Sequence, residues 1–91
     1  MLIADNYSLL NNYPNPFNPA TSINFTLPME SDISLEIYDI HGRMVEVLLN
    51  GNMQPGYHSV IWNANNHSNG IYFVKMVAGE YINTQKLILL K

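Results

Sequence analysis

Apolar and polar residues alternate with a period of two along most of this chain. In "TSINFTL", Ile23, Phe25 and Leu27 fall on one side, and Ser22, Asn24 and Thr26 on the other. In "DISLEIYD", Ile33, Leu35 and Ile37 oppose Ser34, Glu36 and Tyr38. "YHSVIW" puts His58, Val60 and Trp62 on one face. "GIYFVKMV" does the same with Tyr72, Val74 and Met76, while Lys75 marks the opposite face as solvated. Alternation with β-branched and aromatic residues predicts half-buried strands. About seven are expected, near 7–12, 21–28, 32–39, 43–49, 57–62, 71–78 and 81–90. The fourth, "RMVEVLL", also fits one helical turn through Met44, Val45, Val47, Leu48 and Leu49. Its β-branched content and the lack of a preceding cap favour a strand.

The punctuation fits an all-β fold. "DIHGR" predicts a tight turn at His41-Gly42, and "VAGEY" a short hairpin at Ala78-Gly79. "NGNMQPG" (Asn50–Gly56) and "NANNHSNG" (Asn63–Gly70) read as loops. Turn signals recur every ~8–14 residues, the rhythm of an antiparallel β-sandwich.

The entry stretch "NNYPNPFNPATSINFTLP" (Asn11–Pro28) holds four of the chain's five prolines. Each proline fixes φ, removes a backbone donor and keeps the preceding residue out of the α region. "YPNPFNPA" therefore excludes both a helix and a central strand. It reads as an extended edge segment or a crossover between two sheets. Asn15 and Asn18 are placed to serve backbone groups that the prolines leave unpaired. Phe17 is the one large apolar anchor in this block.

Composition narrows the function classes. The 91 residues fit one small domain, which buries roughly 60–65% of its unfolded surface. Residues 1–6 read as a linker from an upstream cargo domain. Four basic residues against seven acidic ones leave a net charge of −3 and no basic patch, so nucleic acid is not an expected partner. There is no cysteine, hence no disulfide or thiolate metal site. No apolar run approaches the ~20 residues of a membrane-spanning helix. The first residues lack the basic-then-apolar pattern of a signal peptide.

No catalytic constellation emerges. His41 falls in a turn, His67 in a loop, and His58 on the Val60/Trp62 face as a core or edge histidine. There is no Gly-x-Ser-x-Gly elbow and no phosphate loop. Asp32, Glu36, Asp39 and Glu46 read as solvated outer-face charge. Asp32 and Glu36 sit about 13 Å apart on an extended strand and cannot share one calcium ion. No cofactor or metal is expected. Tyr38 and Tyr81 read as surface aromatics able to stack on a sugar. Trp62 and Tyr72 read as core, with the Tyr72 hydroxyl placed to tie onto nearby backbone as in the tyrosine corner of immunoglobulin-like folds. The tail "LILL" is apolar on both faces. It reads either as a strand covered on both sides or as a strip for a partner, with Lys86 and Lys91 limiting self-association.

Four blocks now stand in order: "NYPNPFNPATSINFTLP", "SLEIYDIHGRMVEVLLNG", "PGYHSVIWNANNHSNGIYFVKM" and the terminal "QKLILLK". From about Tyr7 to Lys91 the chain resembles the type A C-terminal sorting domains of the bacterial type IX secretion system. It is also similar to the immunoglobulin-like domain of flagellar hook-capping proteins. The resemblance implies a seven-stranded immunoglobulin-like sandwich without catalytic activity. Such a domain directs an attached cargo through the periplasm and across the outer membrane, to the cell surface or the medium. It implies secretion-machinery proteins as partners, and a sortase-like surface protease that removes the domain in many members. Carried over by motif are Asn15, Pro16, Asn18 and Pro19, then Gly42 and Arg43, then Gly56, Trp62, Gly70 and Tyr72, and finally Gln85, Lys86, Leu87, Leu89 and Lys91. Two positions depart from the family pattern: Asn63, where members often carry an acidic residue, and Asn69, where many carry serine. An accessory carbohydrate-binding or structural module of a secreted protein is the alternative reading. A dimer through exposed strand edges is a further expectation.

Overall fold

Alternation resolves into two antiparallel sheets. The computed structural model describes residues 5–91, so the first four residues of the expected linker lie outside it. The strands are β1 (Ser8–Leu9), β2 (Ala20–Leu27), β3 (Ser31–Asp39), β4 (Met44–Met53), β5 (Gly56–Asn63), β6 (Gly70–Ala78) and β7 (Tyr81–Leu89). One sheet runs β1-β2-β5 and the other β4-β3-β6-β7. In the constant-type immunoglobulin order the fourth strand joins the first sheet. Here β4 pairs with β3 instead.

The inward side of every long strand except β4 matches the period-two reading. Ile23, Phe25 and Leu27 of β2 and Trp62 of β5 are buried against Ile33, Leu35 and Ile37 of β3. Tyr72, Val74, Met76 and Ala78 of β6 and Leu87 and Leu89 of β7 complete the core. His58 lies on the expected face, stacked on Phe25 at 5.3 Å between centroids and bonded through Nε2 to the Gln54 carbonyl at 2.7 Å.

Three local expectations need correction. The first strand is two residues long rather than six, because the register shifts by one between the Leu9↔Phe25 pair and the Tyr13↔Ser22 bridge, which breaks the ladder over residues 10–12. The loop expected at Asn50–Gly56 is mostly strand: β4 runs through Gly51 to Met53, paired with Ser31, and only Gln54 and Pro55 turn the chain. The hairpin after β6 turns at Gly79-Glu80, one residue later than expected, with Ala78 paired to Tyr81 and Gly79 at φ +60°.

β4 is a strand, and its helix-like spacing has a cause. The β3–β4 register slips twice, leaving Leu48 and Val45 as extra residues. Each bulge resets which side chains face inward, so Val45, Leu48, Leu49 and Met53 all pack on the core. Two bulges in a period-two strand imitate a period near three and a half.

Strand register defines two poles along a body 37 Å long. At the entry pole stand Asn6–Ser8, the Pro28–Glu30 turn, Gln54–Pro55 and Gly79–Glu80. At the opposite tail pole stand the Asp39–Arg43 turn, the loop after β5, the proline block and Leu89–Lys91.

Leu35→Ala should destabilise the domain by about 2–5 kcal/mol, as deletion from a packed core does. Ile82→Ala, at a side chain 61% exposed, should change stability by less than about 0.5 kcal/mol. Urea unfolding of both variants checks the assignment of faces.

Candidate functional site

The proline block lies along the free edge of β7. The Asn15 side-chain amide reaches that edge as a backbone peptide would: Nδ2 donates to the Lys86 carbonyl at 3.2 Å, and Oδ1 accepts from the Ile88 N–H at 2.9 Å. Two residues on, Phe17 N–H donates to the Ile88 carbonyl at 2.9 Å and Leu90 N–H donates to the Phe17 carbonyl at 3.0 Å. Asn15 and Phe17 thus form a short surrogate strand beside β7. It needs no donor from Pro14, Pro16 or Pro19. Asn15 plays the expected part toward backbone groups. Asn18 is exposed and bonds to none of the described residues.

This geometry corrects the expectation of an open last strand. From Lys86 onward the β7 edge is occupied from within the molecule, so pairing with a second copy through that stretch is closed. The apolar tail splits: Leu87 and Leu89 are fully buried, Ile88 is half-buried, and Leu90 is 55% exposed.

The block is fixed at both ends. Buried Asn12 donates through Nδ2 to Thr21 Oγ1 at 3.2 Å, and Thr21 Oγ1 donates to the Pro14 carbonyl at 2.7 Å. The Pro19 carbonyl accepts the Ala64 N–H at 2.8 Å, which ties the block to the loop after β5. Beneath it Phe17 packs on Trp62 at 5.5 Å between centroids. Trp62 in turn meets His67 at 5.5 Å and Tyr72 edge-on at 5.4 Å. The Tyr72 hydroxyl donates to the Ser68 carbonyl at 2.6 Å, the backbone tie expected of it.

Glu46 differs from the sequence reading. Trp62 Nε1 donates to its Oε1 at 3.0 Å, and His67 Nε2 lies 3.3 Å from the same oxygen. The bulge at Val45 sets Glu46 opposite buried Ile37, so this carboxylate closes the flank of the sandwich rather than its solvated face. Alternation alone gave no sign of this. A lone acid on a strand whose partner is a buried tryptophan indole, a donor without a local acceptor, is the signal that was available.

The chain end is held at the same pole. Lys91 N–H donates to Asn69 Oδ1 at 2.8 Å, and Lys91 Nζ donates to the Asn65 carbonyl at 3.3 Å. Asn69, one of the two departures from the family pattern, is thus a direct contact of the tail. Asn63, the other, accepts the Asn65 N–H at 3.0 Å and shapes the loop. Gly70 pairs with Leu89 at φ +152°, a conformation side chains disfavour.

The remaining motif residues are spread out. Gly42, at φ +80°, turns the chain after β3 at the tail pole. There Asp39 Oδ1 accepts the N–H groups of His41 and Arg43, and Oδ2 accepts Arg43 Nε at 3.0 Å. The Arg43 backbone N–H, chiefly, with the His41 N–H and the guanidinium, holds the Asp39 carboxyl below its ordinary range. Gln85 Nε2 donates to the Leu9 carbonyl at 3.2 Å, joining β7 to β1. Gly56 is buried at the opposite pole, paired with Leu27, and takes no part in this cluster.

Among the described residues no group of three or more His, Asp or Glu side chains is placed to hold a metal ion. The aromatic pair proposed for sugar stacking is separated. Tyr38 faces out from the four-stranded sheet, whereas the half-buried Tyr81 ring stacks on Tyr7 at 5.8 Å and its hydroxyl accepts the Leu9 N–H.

In this β-sandwich Asp5 and Lys91 lie toward opposite poles, and the last strand is sealed by the chain's own entry segment. The model of the secretion system C-terminal sorting domain matches residues 11–90, and the chain belongs to that family, the C-terminal sorting domains of type IX secretion. Searches of curated proteins and of solved structures returned no match. Family membership places the protein on the export route through the periplasm to the cell surface or the medium.

Asn15→Ala should leave the fold intact at a cost of about 1 kcal/mol. It should speed amide exchange at Ile88 by about tenfold while the amides of β6 follow global stability only. Two-dimensional NMR exchange measurements check this. Because the Asp39 carboxyl is held low, its bonds to the turn are complete above the ordinary carboxyl range and are lost as pH falls through the depressed value. The Arg43 amide resonance should therefore follow this carboxyl only below about pH 4. Asp39→Asn should abolish that titration.

Proposed function

We propose that this domain is a sorting signal without catalytic activity that directs an upstream cargo across the outer membrane, and that the tail pole is the part read by the secretion machinery. One observation carries the reading. The entry block, the loop after β5 and the end of β7 meet at one pole, while the chain enters at the other. Cargo attached before Asp5 would sit at the entry pole, across a body whose longest extent is 37 Å, from the pole that holds Lys91. The tail pole would then stay free when a large protein is attached.

In this reading the recognition residues are Asn15, Pro16, Asn18 and Pro19 on the strap, and Gly70 and Tyr72 beneath the loop. Gln85, Lys86, Leu87, Leu89 and Lys91 on the tail join them. Gly42 and Arg43 border the pole, and Gly56 serves the opposite end as a backbone turn. The machinery reads a folded surface: Leu87 and Leu89 are core and act by holding Leu90 and Lys91 in place. A sortase-like surface protease would cut ahead of β1, where Asp5 and Asn6 are exposed. The carbohydrate-binding alternative loses its motivation, since Tyr38 and Tyr81 share no face.

A reporter fused ahead of Asp5 should reach the surface of a host that carries a type IX system. Deleting residues 85–91 should abolish display, but it also removes core leucines. The sharper variant is Leu90→Asp with Lys91→Glu, which alters exposed side chains. It should retain the wild-type melting temperature within about 2 °C and reduce surface display at least fivefold. Undiminished display by the folded double variant would refute the proposed role of the tail.

A further inference from the structure

The outer face of the four-stranded sheet is not the polar surface that a one-sided sheet presents to water. Register places Met44, Tyr38, Phe73 and Lys86 in one row across it, with Val47, Glu36, Lys75 and Thr84 in the next. Val77 pairs with Ile82, and Ile71 with Ile88, on the same face. Met44, Val47 and Ile82 are about half exposed or more, at 52%, 48% and 61%. Contiguous outward apolar residues of this kind mark interaction sites.

The face also has a recess. Tyr38, Asp39, Ile40, Gly42, Phe73, Lys75 and Thr84 line an open groove of about 330 Å³ beneath the turn after β3, at the low end for side-chain and small-ligand clefts. Ile40 overhangs it, 63% exposed.

Charge is spread unevenly, and this face with the tail pole carries a small positive excess: four basic residues against Glu36, Asp39 and Glu46. The net charge is −3, yet all four basic residues lie on this face or at the tail pole beside it. Four acids, Asp5, Glu30, Asp32 and Glu80, gather toward the entry pole. The two carboxylates near the groove are engaged internally. Asp39 is bonded to Arg43 at 3.0 Å, and Glu36 accepts the Tyr38 hydroxyl at 2.8 Å, which keeps that phenol above its ordinary range. Lys75 lies 6.0 Å from the Tyr38 ring centroid, and among the described residues neither Lys75 nor Lys86 makes an ion pair.

We infer that this face docks an acidic, extended segment of another protein. One bulky apolar side chain of that segment enters the groove between Tyr38, Ile40 and Phe73, and flanking carboxylates meet Lys75 and Lys86. Complementary charge selects the partner, and the apolar recess fixes its register. A recess of this size suits one inserted side chain better than the plane of a lipid surface. A second copy would have to offer its acidic Met29–Asp32 stretch in a head-to-tail contact, which ends in a ring or a growing filament rather than a simple dimer. The inference stands apart from the sorting role, since it is read with the purified domain and not by export.

The test is an NMR titration of the domain with the blocked heptapeptide Asp-Glu-Asp-Phe-Asp-Glu-Asp. Saturable shifts are expected at the Phe73, Lys75 and Thr84 amides, with Kd on the order of 0.1–1 mM, a range typical of weak encounters. Binding should weaken at least fivefold between low and high salt, as partly screened ion pairs do. The Lys75→Glu/Lys86→Glu variant, checked for an unchanged fold by its amide spectrum, should bind at least tenfold more weakly. The peptide with Ala in place of Phe should do the same. Shifts on another face, no saturation, or equal binding by the charge-reversed variant would overturn the inference. Capture by phosphatidylglycerol vesicles without peptide binding would overturn it in favour of a membrane. Concentration-dependent shifts on this face in the domain alone would overturn it in favour of a second copy.

Discussion

The structure depends on how one strand edge is closed. A β-sandwich with an unclosed terminal strand offers a row of free N–H and C=O groups to any other chain. Here the edge of β7 beyond Lys86 is met by Asn15 and Phe17, which arrive from the other end of the sequence. Prolines make this possible because they cannot serve a ladder of their own. A segment that reads P-N-P-F-N-P has few backbone donors to satisfy, so it is free to spend an asparagine amide and one phenylalanine peptide on a neighbour. The contact closes a loop of more than seventy residues, so the strap and the tail order one another only once both sheets are in place.

That dependence gives the tail pole its unity. Phe17 reaches the Trp62 ring because the strap holds it there, and Trp62 is oriented by Glu46 as well as by its aromatic neighbours. The loop between β5 and β6 is then bracketed by Pro19 on one side and Lys91 on the other. A surface built this way is composite: no linear stretch of it exists in the unfolded chain.

The sheets were legible in the sequence because each long strand except β4 keeps strict alternation between buried and wet sides. β4 was legible only in part. Val45, Leu48 and Leu49 belong to a bulged strand, and no period of two or of 3.6 describes a strand with two extra residues. Gly51 was read as a breaker, yet within an edge strand paired on one side its missing side chain is tolerated. The motif residues were visible, but their convergence was not. Nothing local in "YPNPFNP" says that its partner is "KLILL", because the contact is made by a side-chain amide and by bare backbone, neither of which leaves a pattern. Glu46 was missed for a related reason: a bulge, not the alternation, decides where it points.

Sealing the edge also changes which surfaces remain for association. Of the two ways a sheet can bind a partner, lengthening along its edge or covering of its face, the first is blocked over the last half of β7. It is impaired on β4 by two bulges that twist the edge away from a straight ladder. What remains on the four-stranded sheet is its face. On that face Phe73, Ile71 and Val77 stand where solvated residues belong, and the unpaired lysines of β6 and β7 stand among them. A small acidic domain on an export route gains from this arrangement. Its hydrogen-bonding edges are closed against indiscriminate pairing, and what it leaves open is a surface whose charge decides what may settle on it.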